Sequence, residues 1–355
     1  MVPTRRGFCV LCVSASLAGC SGVPETDRGD GEDGDVDGET PTETPTPTET
    51  ETPADGPDAT ETEREPDEPA DETPTEPELR ERESELPELV RESIASSRER
   101  IGAAVDIYVT SADGDADSEP NVASVSLLAE PDRIDAHREL SAANDRLSGA
   151  TSRADRQGID DDPFRRLTEL LGAEIGTLRS EISTHETLAR GYRTAESVVD
   201  LADQRAYRLA ESDHEALGDY RNETADTIEK AKTAAEPIAA ATDTERAALE
   251  ADGHLDLLDR LEDGSTTLGT YHDALESVPS AFSDVDDANG SLGNDDEEAF
   301  TLATLAAEDL AETESALVAS DPPTSVESLK SSLLETVRAK LETAREIREA
   351  ARENV

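Results

Sequence analysis

The stretch from Phe164 to Leu209 constrains the fold more than any other. Phe164, Leu167, Leu171, Ile175, Leu178, Ile182, Ala189, Tyr192, Val199 and Leu209 follow one another in steps near three and four over more than six heptads. A half-buried strand needs alternation at every second residue, which no segment of the chain sustains. The stripe predicts a helix of coiled-coil character about 70 Å long at about 1.5 Å per residue. Acids and a proline at Asp160 to Pro163 mark its start. A helix of that length needs partners along all of it, so the rest of the chain must supply them.

The other seams are shorter. Leu86, Leu89, Val90, Ile94, Ile101, Val105 and Tyr108 predict a helix from about Glu78 to Val109, and Ser111 to Pro120 reads as a loop of Asp, Gly and Ser. A second helical region covers Val122 to Gln157, with Pro131 marking a new first turn or a kink. Helices are expected at Asp213 to Ala241, interrupted at Pro237, then at Thr244 to Glu262 and Ser265 to Ala281. Ser283 to Asp295 reads as a Gly, Asn and Asp loop. Glu297 to Ala319 resumes helical spacing, Asp321-Pro322-Pro323 stops it, and Ser325 to Arg352 closes the chain with Val326, Leu329, Leu333, Val337, Leu341, Ala344 and Ile347 in heptad register. Residues 79–355 hold three phenylalanines, Phe164, Phe282 and Phe300, and no tryptophan. Helices packed through narrow Leu and Ala seams manage with so little bulk, whereas a globule around a deep pocket needs more. The expected fold class is all-α, an elongated helical bundle with coiled-coil-like long helices.

The N-terminus has a different character. Arg5 and Arg6 precede a short apolar run, Val10 to Ala18, which ends in Leu17-Ala18-Gly19-Cys20. That run is too short to cross a hydrocarbon core about 30 Å thick, so it reads as a removable export signal. The paired arginines match a twin-arginine signal. Leu17, Ala18, Gly19 and Cys20 resemble a lipobox, in which cleavage precedes the cysteine and lipid is attached to its sulfur. Cys9 and Cys12 would leave with the signal and Cys20 would carry the lipid, so disulfides, thiolate metal sites and a cysteine nucleophile are excluded from the mature domain.

Ser21 to Glu78 contains ten prolines, twelve threonines and 22 acids among 58 residues, with Val23 and Val36 as its apolar residues larger than alanine. No core forms from that composition, and the segment reads as a disordered tether. The expected organisation is therefore an export signal at 1–19, a lipidated cysteine and tether at 20–78, and a helical domain at 79–355.

The whole chain has 85 acidic and 32 basic side chains and a formal net charge of -53. Removing residues 1–19 takes away two arginines and no acid. Such a charge excludes nucleic acid as a partner and opposes docking on an anionic membrane surface. It is tolerable in molar salt, where the Debye length falls to about 3 Å. Four lysines, Lys230, Lys232, Lys330 and Lys340, stand beside many arginines. Together the signal, the tether and this composition resemble the twin-arginine-exported lipoproteins of halophilic archaea. The resemblance covers about the first 78 residues and the overall composition. It implies export, anchoring in the cell membrane through lipid at Cys20 on the extracellular face, and salt adaptation, and it implies no enzymatic activity.

Motifs for chemistry are sparse. The five histidines, His137, His185, His214, His254 and His272, form no H-x-x-H or H-E-x-x-H pair. His185 lies close to the apolar stripe and reads as a satisfied seam histidine. Glu211 and His214 make a single Glu-x-x-His, where a di-iron bundle needs two plus further glutamates. Asp113, Asp115 and Asp117, and again Asp284, Asp286, Asp287, Asn289 and Asp295, suggest calcium loops, but neither set has the glycine and glutamate that the helix-loop-helix calcium pattern requires. Asp33, Asp35, Asp37 and Gly38 begin that pattern and fail at Thr44. Nucleophile elbows and phosphate-binding glycine loops are absent from the sequence. Catalytic residues, metal ligands and cofactors are accordingly expected to be none. Asn222-Glu-Thr224 and Asn289-Gly-Ser291 are N-glycosylation acceptors in an exported chain, Asn289 in an expected loop and Asn222 on a helix. The expected function is a non-enzymatic surface lipoprotein presenting a helical interaction or structural module to a surface protein partner. A helical solute-binding or sensor module is the alternative, and a metal-independent hydrolase the third reading.

Overall fold

The computed structural model describes residues 83–112, 122–241 and 251–354. The chain divides into two units, Met1–Asp67 and Glu68–Val355, and every described residue belongs to the second. The expected signal, Cys20, the tether and the calcium-like sequences at Asp33 to Thr44 and Asp113 to Asp117 lie outside the described residues.

Among the described residues the fold is all-α, with eight helices and no strand: α1 Glu88–Ala112, α2 Arg133–Arg156, α3 Asp162–Asp203, α4 Tyr207–Ala239, α5 Ala251–Leu275, α6 Val278–Ser291, α7 Asp296–Ala319 and α8 Glu327–Asn354. Several starts follow from local chemistry. Asp132, Asp161 and Asp295 each accept a hydrogen bond from the backbone N–H three residues on, which satisfies an orphan donor of α2, α3 and α7. Each such cap stabilises its helix by about 1 kcal/mol. Pro163 stands in the first turn of α3, where its missing N–H costs nothing.

Several expected boundaries move. Residues 83–85 are helical, but the chain breaks at Leu86 and Pro87 before α1 begins, and α1 runs on to Ala112. The region from Val122 opens with a short 3-10 turn at Val122–Ser124 and an irregular segment, and its helix begins only at Arg133, behind the Asp132 cap. The long helix has 42 residues, about 63 Å, and ends at Asp203, before Leu209. Its C-terminus closes with Ala206 N–H bonded to Leu201 O at 2.8 Å and Arg205 N–H to Ala202 O at 3.0 Å, with Arg205 at φ 63°. The same closure ends α2 around Gly158 at φ 71°, where glycine announces it. Arg205 performs the turn without that signal.

Pro237 sits inside the last turn of α4 and does not interrupt it. The two helices expected at Thr244 to Glu262 and Ser265 to Ala281 are one helix through Gly264 over their described part, followed by α6. α6 also occupies most of the expected Ser283 to Asp295 loop, which shrinks to the residues after Ser291. Asn289 is therefore an exposed helix residue, not a loop residue.

α3 packs against α1, α2, α4, α5, α6 and α8, while α7 lies on α5, α6 and α8. Its expected stripe is buried, with Leu171, Leu178, Ile182 and Tyr192 fully so, whereas Leu209 in α4 is 59% exposed. α3 and α5 approach closely through glycine: a Cβ on Gly191 would stand 2.6 Å from Leu268 Cδ2, and one on Gly264 would stand 2.7 Å from Leu188 Cδ2.

Candidate functional site

A second stripe of α3 is buried as completely as the first. Leu167, Leu170, Glu174, Thr177, Glu181, Thr184, Leu188, Gly191, Ala195, Val198 and Ala202 recur at seven-residue spacing, and all are buried. The ends of this seam are apolar or small and its middle is polar. A hydropathy period conceals such a seam, because Glu and Thr read as solvent-facing. Its apolar ends at Leu170, Leu188, Ala195, Val198 and Ala202 are the signal that could have located it.

The polar middle meets side chains from α1 and α5. Glu181 Oε2 lies 2.7 Å from His254 Nδ1, with both residues buried. His185, one turn on, is fully buried and doubly tied: Nδ1 is 3.0 Å from Tyr108 Oη of α1, and Nε2 is 2.9 Å from the Ser126 carbonyl. A carbonyl can only accept, so Nε2 carries the hydrogen and Nδ1 accepts from the Tyr108 hydroxyl. This makes His185 the satisfied seam histidine expected of it. Burial lowers its pKa from 6.5 to about 4, so the ring is neutral at pH 7. Arg260 of α5 donates to the Val125 carbonyl at 2.6 Å. The irregular segment after α1 thus carries carbonyl acceptors into the centre. Burial raises the Tyr108 pKa, with the Glu181 charge adding to the effect. Burial likewise raises the Glu181 carboxyl, opposed by His254. Glu181 Oε1 and the hydroxyls of Thr177 and Thr184 have no hydrogen-bond partner.

Around this centre the polar groups pair off at the surface. Glu186 is held by Arg133 at 2.8 Å and Arg190 at 2.6 Å, and Glu130 takes Arg190 and Arg193. His214 stacks on His272 with ring centroids 4.6 Å apart, and its Nε2 donates to the His272 carbonyl at 2.9 Å. Arg221 and Asp273 complete that cluster, their charged groups 2.7 Å apart. Among the described residues no three His, Cys, Asp or Glu side chains converge as a metal site, and Glu211 and His214 do not gather further ligands. Asp284, Asp286, Asp287 and Asn289, read from the sequence as part of an acidic loop, stand on α6, and Asp295 caps α7. Asp286 accepts from Tyr207 and pairs with Arg205 at 2.9 Å and Lys340 at 3.2 Å, while Lys340 lies over the Phe282 ring. Burial raises the Asp286 pKa, but those three partners outweigh it and the net shift is downward.

Open grooves mark the surface formed by the described residues. One of about 700 Å³ is lined by Asp273, Glu276, Asp309 and Glu312 with serines and threonines between them. Another of about 520 Å³ continues it along α5 and α7, and a third of about 310 Å³ lies over Tyr192, Arg193 and Leu329. None of the three is lined by a histidine. Asn222 is exposed on α4 as expected, and Asn289 is exposed on α6. Arg5, Arg6, Leu17, Ala18, Gly19 and Cys20 lie outside the described residues. No helix among the described residues is long and apolar enough to cross a membrane. Compared with protein-family models, with curated proteins and with solved structures, the chain matches none.

Proposed function

We propose that this chain is a lipid-anchored protein of the outer face of the cell membrane, whose helical unit is a non-catalytic interaction or structural module. The observation that carries the reading is the order at the N-terminus: Arg5-Arg6, a short apolar run, then Leu17-Ala18-Gly19-Cys20. A Pro, Thr and acid-rich stretch follows that cannot build a core, which suits a spacer between lipid and domain. The interior of the helical unit supports the non-catalytic part. Among the buried acid-base groups of α3 and α5, Glu181, His185 and His254 are bonded to one another, to Tyr108 and to the Ser126 carbonyl. At 4% side-chain exposure or less, the Glu181–His254 pair meets no solute in this conformation. The partner is a surface protein, because a chain of this charge repels nucleic acid and anionic headgroups alike.

Cys20→Ser tests the anchor. The substituted protein should leave the membrane fraction and accumulate in the medium, while the wild-type mature chain should begin at Cys20 and carry the mass of a lipid. Unchanged membrane retention of Cys20→Ser would overturn the reading.

A further inference from the structure

Glu181 and His254 are sealed together, with side chains 0% and 4% exposed and Oε2 2.7 Å from Nδ1. Such a pair holds none, one or two protons, and those states belong to the pair and not to either residue. With one proton it is neutral overall. With none, a carboxylate stands alone in a dry interior, which costs several kcal/mol.

The neighbouring elements offer that carboxylate little. Tyr108 of α1 gives its hydroxyl to His185, and His185 on α3 is neutral and donates to Ser126. Arg260 of α5 donates to Val125 O. Glu174 on the same stripe is a second acid. The buried face of α4 is Ala210, Leu217, Thr224, Ile228, Ala231, Ala235 and Ile238, with no ionisable group. From α2, Arg133 reaches Glu186 and His137 reaches the Arg179 carbonyl. The second oxygen of Glu181 has no donor, and the Thr177 and Thr184 hydroxyls that flank it have no partner. Their state is unlike that of Thr224, Thr267 and Thr313, whose hydroxyls bond to the carbonyl four residues back. These two hydroxyls have given up their own helix and gained nothing else.

We propose that Glu181 and His254 form a one-proton latch on the α3–α5 seam, closed while the pair holds its proton and open once that proton leaves to solvent. The step is a simple loss: the pair releases H+ to water and its net charge goes from zero to minus one. Opening admits water to the bare carboxylate, and the Thr177 and Thr184 hydroxyls are hydrated along with it. The direction of the Glu181 shift agrees. Its folded pKa is raised by burial, less the opposing pull of His254. Its contribution to stability is therefore complete below the ordinary carboxylate range and lost as the pH climbs through the folded value.

The test is amide exchange in the full mature chain across pH, expressed as protection corrected for intrinsic exchange, with α7 and α8 as internal reference. Protection over 177–188 and 251–258 should fall about tenfold per pH unit once the pair deprotonates, while the reference stays flat. Glu181→Gln, which keeps the shape without the charge, should flatten the seam. Thr184→Val should retain the slope, because it removes an unpaired hydroxyl and leaves the pair, so it serves even if Glu181→Gln does not fold. Seam protection independent of pH in the wild type, an unchanged slope in folded Glu181→Gln, or a lost slope in Thr184→Val overturns the latch.

Discussion

His185 sits at the crossing of α1, α3 and the irregular segment after α1, and its two nitrogens have fixed duties there. The cost of protonating it is both burial and the loss of an acceptor for Tyr108. Its folded pKa of about 4 lies below the ordinary 6.5, so the unfolded chain binds the proton more readily between those values. Its contribution is complete above pH 6.5 and is lost as the pH falls toward 4. Between those limits the wild type should lose up to about 3 kcal/mol more unfolding free energy than His185→Gln. Urea denaturation at a series of pH values measures the difference, and parallel curves for the two proteins would contradict it.

Helices α1 and α5 show why the same residue type helps in one place and harms in another. Gly102 in α1 has open space where a Cβ would go, so Gly102→Ala should stabilise by up to about 1 kcal/mol. Gly264 faces Leu188, Leu127 and Tyr192 Oη within 3.3 Å of that position. There the same gain is set against overpacking of about 1–3 kcal/mol, and Gly264→Ala should be destabilising on balance. Side-by-side thermal and urea melts of the two variants check the opposite signs. That contrast also explains what the sequence could disclose. The start of α3 was legible because Asp161 and Pro163 carry their own physical signals, and the end of α7 because Asp321-Pro322-Pro323 cannot continue a helix. The end of α3 was not, because Arg205 adopts the left-handed turn that glycine usually marks. The break expected between Glu262 and Ser265 is absent: the helix runs through Gly264, whose missing side chain leaves room for Leu188 and Leu127. The Glu181 centre was hidden most deeply, since its polar seam is buried by the helices around it and not by its own hydropathy.

At the scale of the whole chain, charge dominates. A net charge of -53 on 355 residues makes self-repulsion a large term in low salt. The exposed ion pairs, such as Arg165–Asp162 and Arg221–Asp273, contribute at most about 1 kcal/mol each and do not offset it. Raising NaCl from 0.1 M to 1 M shortens the Debye length from about 10 Å to about 3 Å, so the melting temperature should rise steeply over that interval. Choline chloride at matched ionic strength should do the same if screening is the cause. A melting temperature indifferent to both salts would show that repulsion is not what limits this fold.

α3 is wrapped by six other helices. A helix shared so widely cannot be withdrawn without dissolving all those interfaces in one event. Melting should therefore be all-or-none across the six, and a protease that cuts within α3 should leave no durable core fragment behind. Local opening of the α3–α5 seam aside, whatever pulls on this protein from outside meets a single breaking point and no graded series of them.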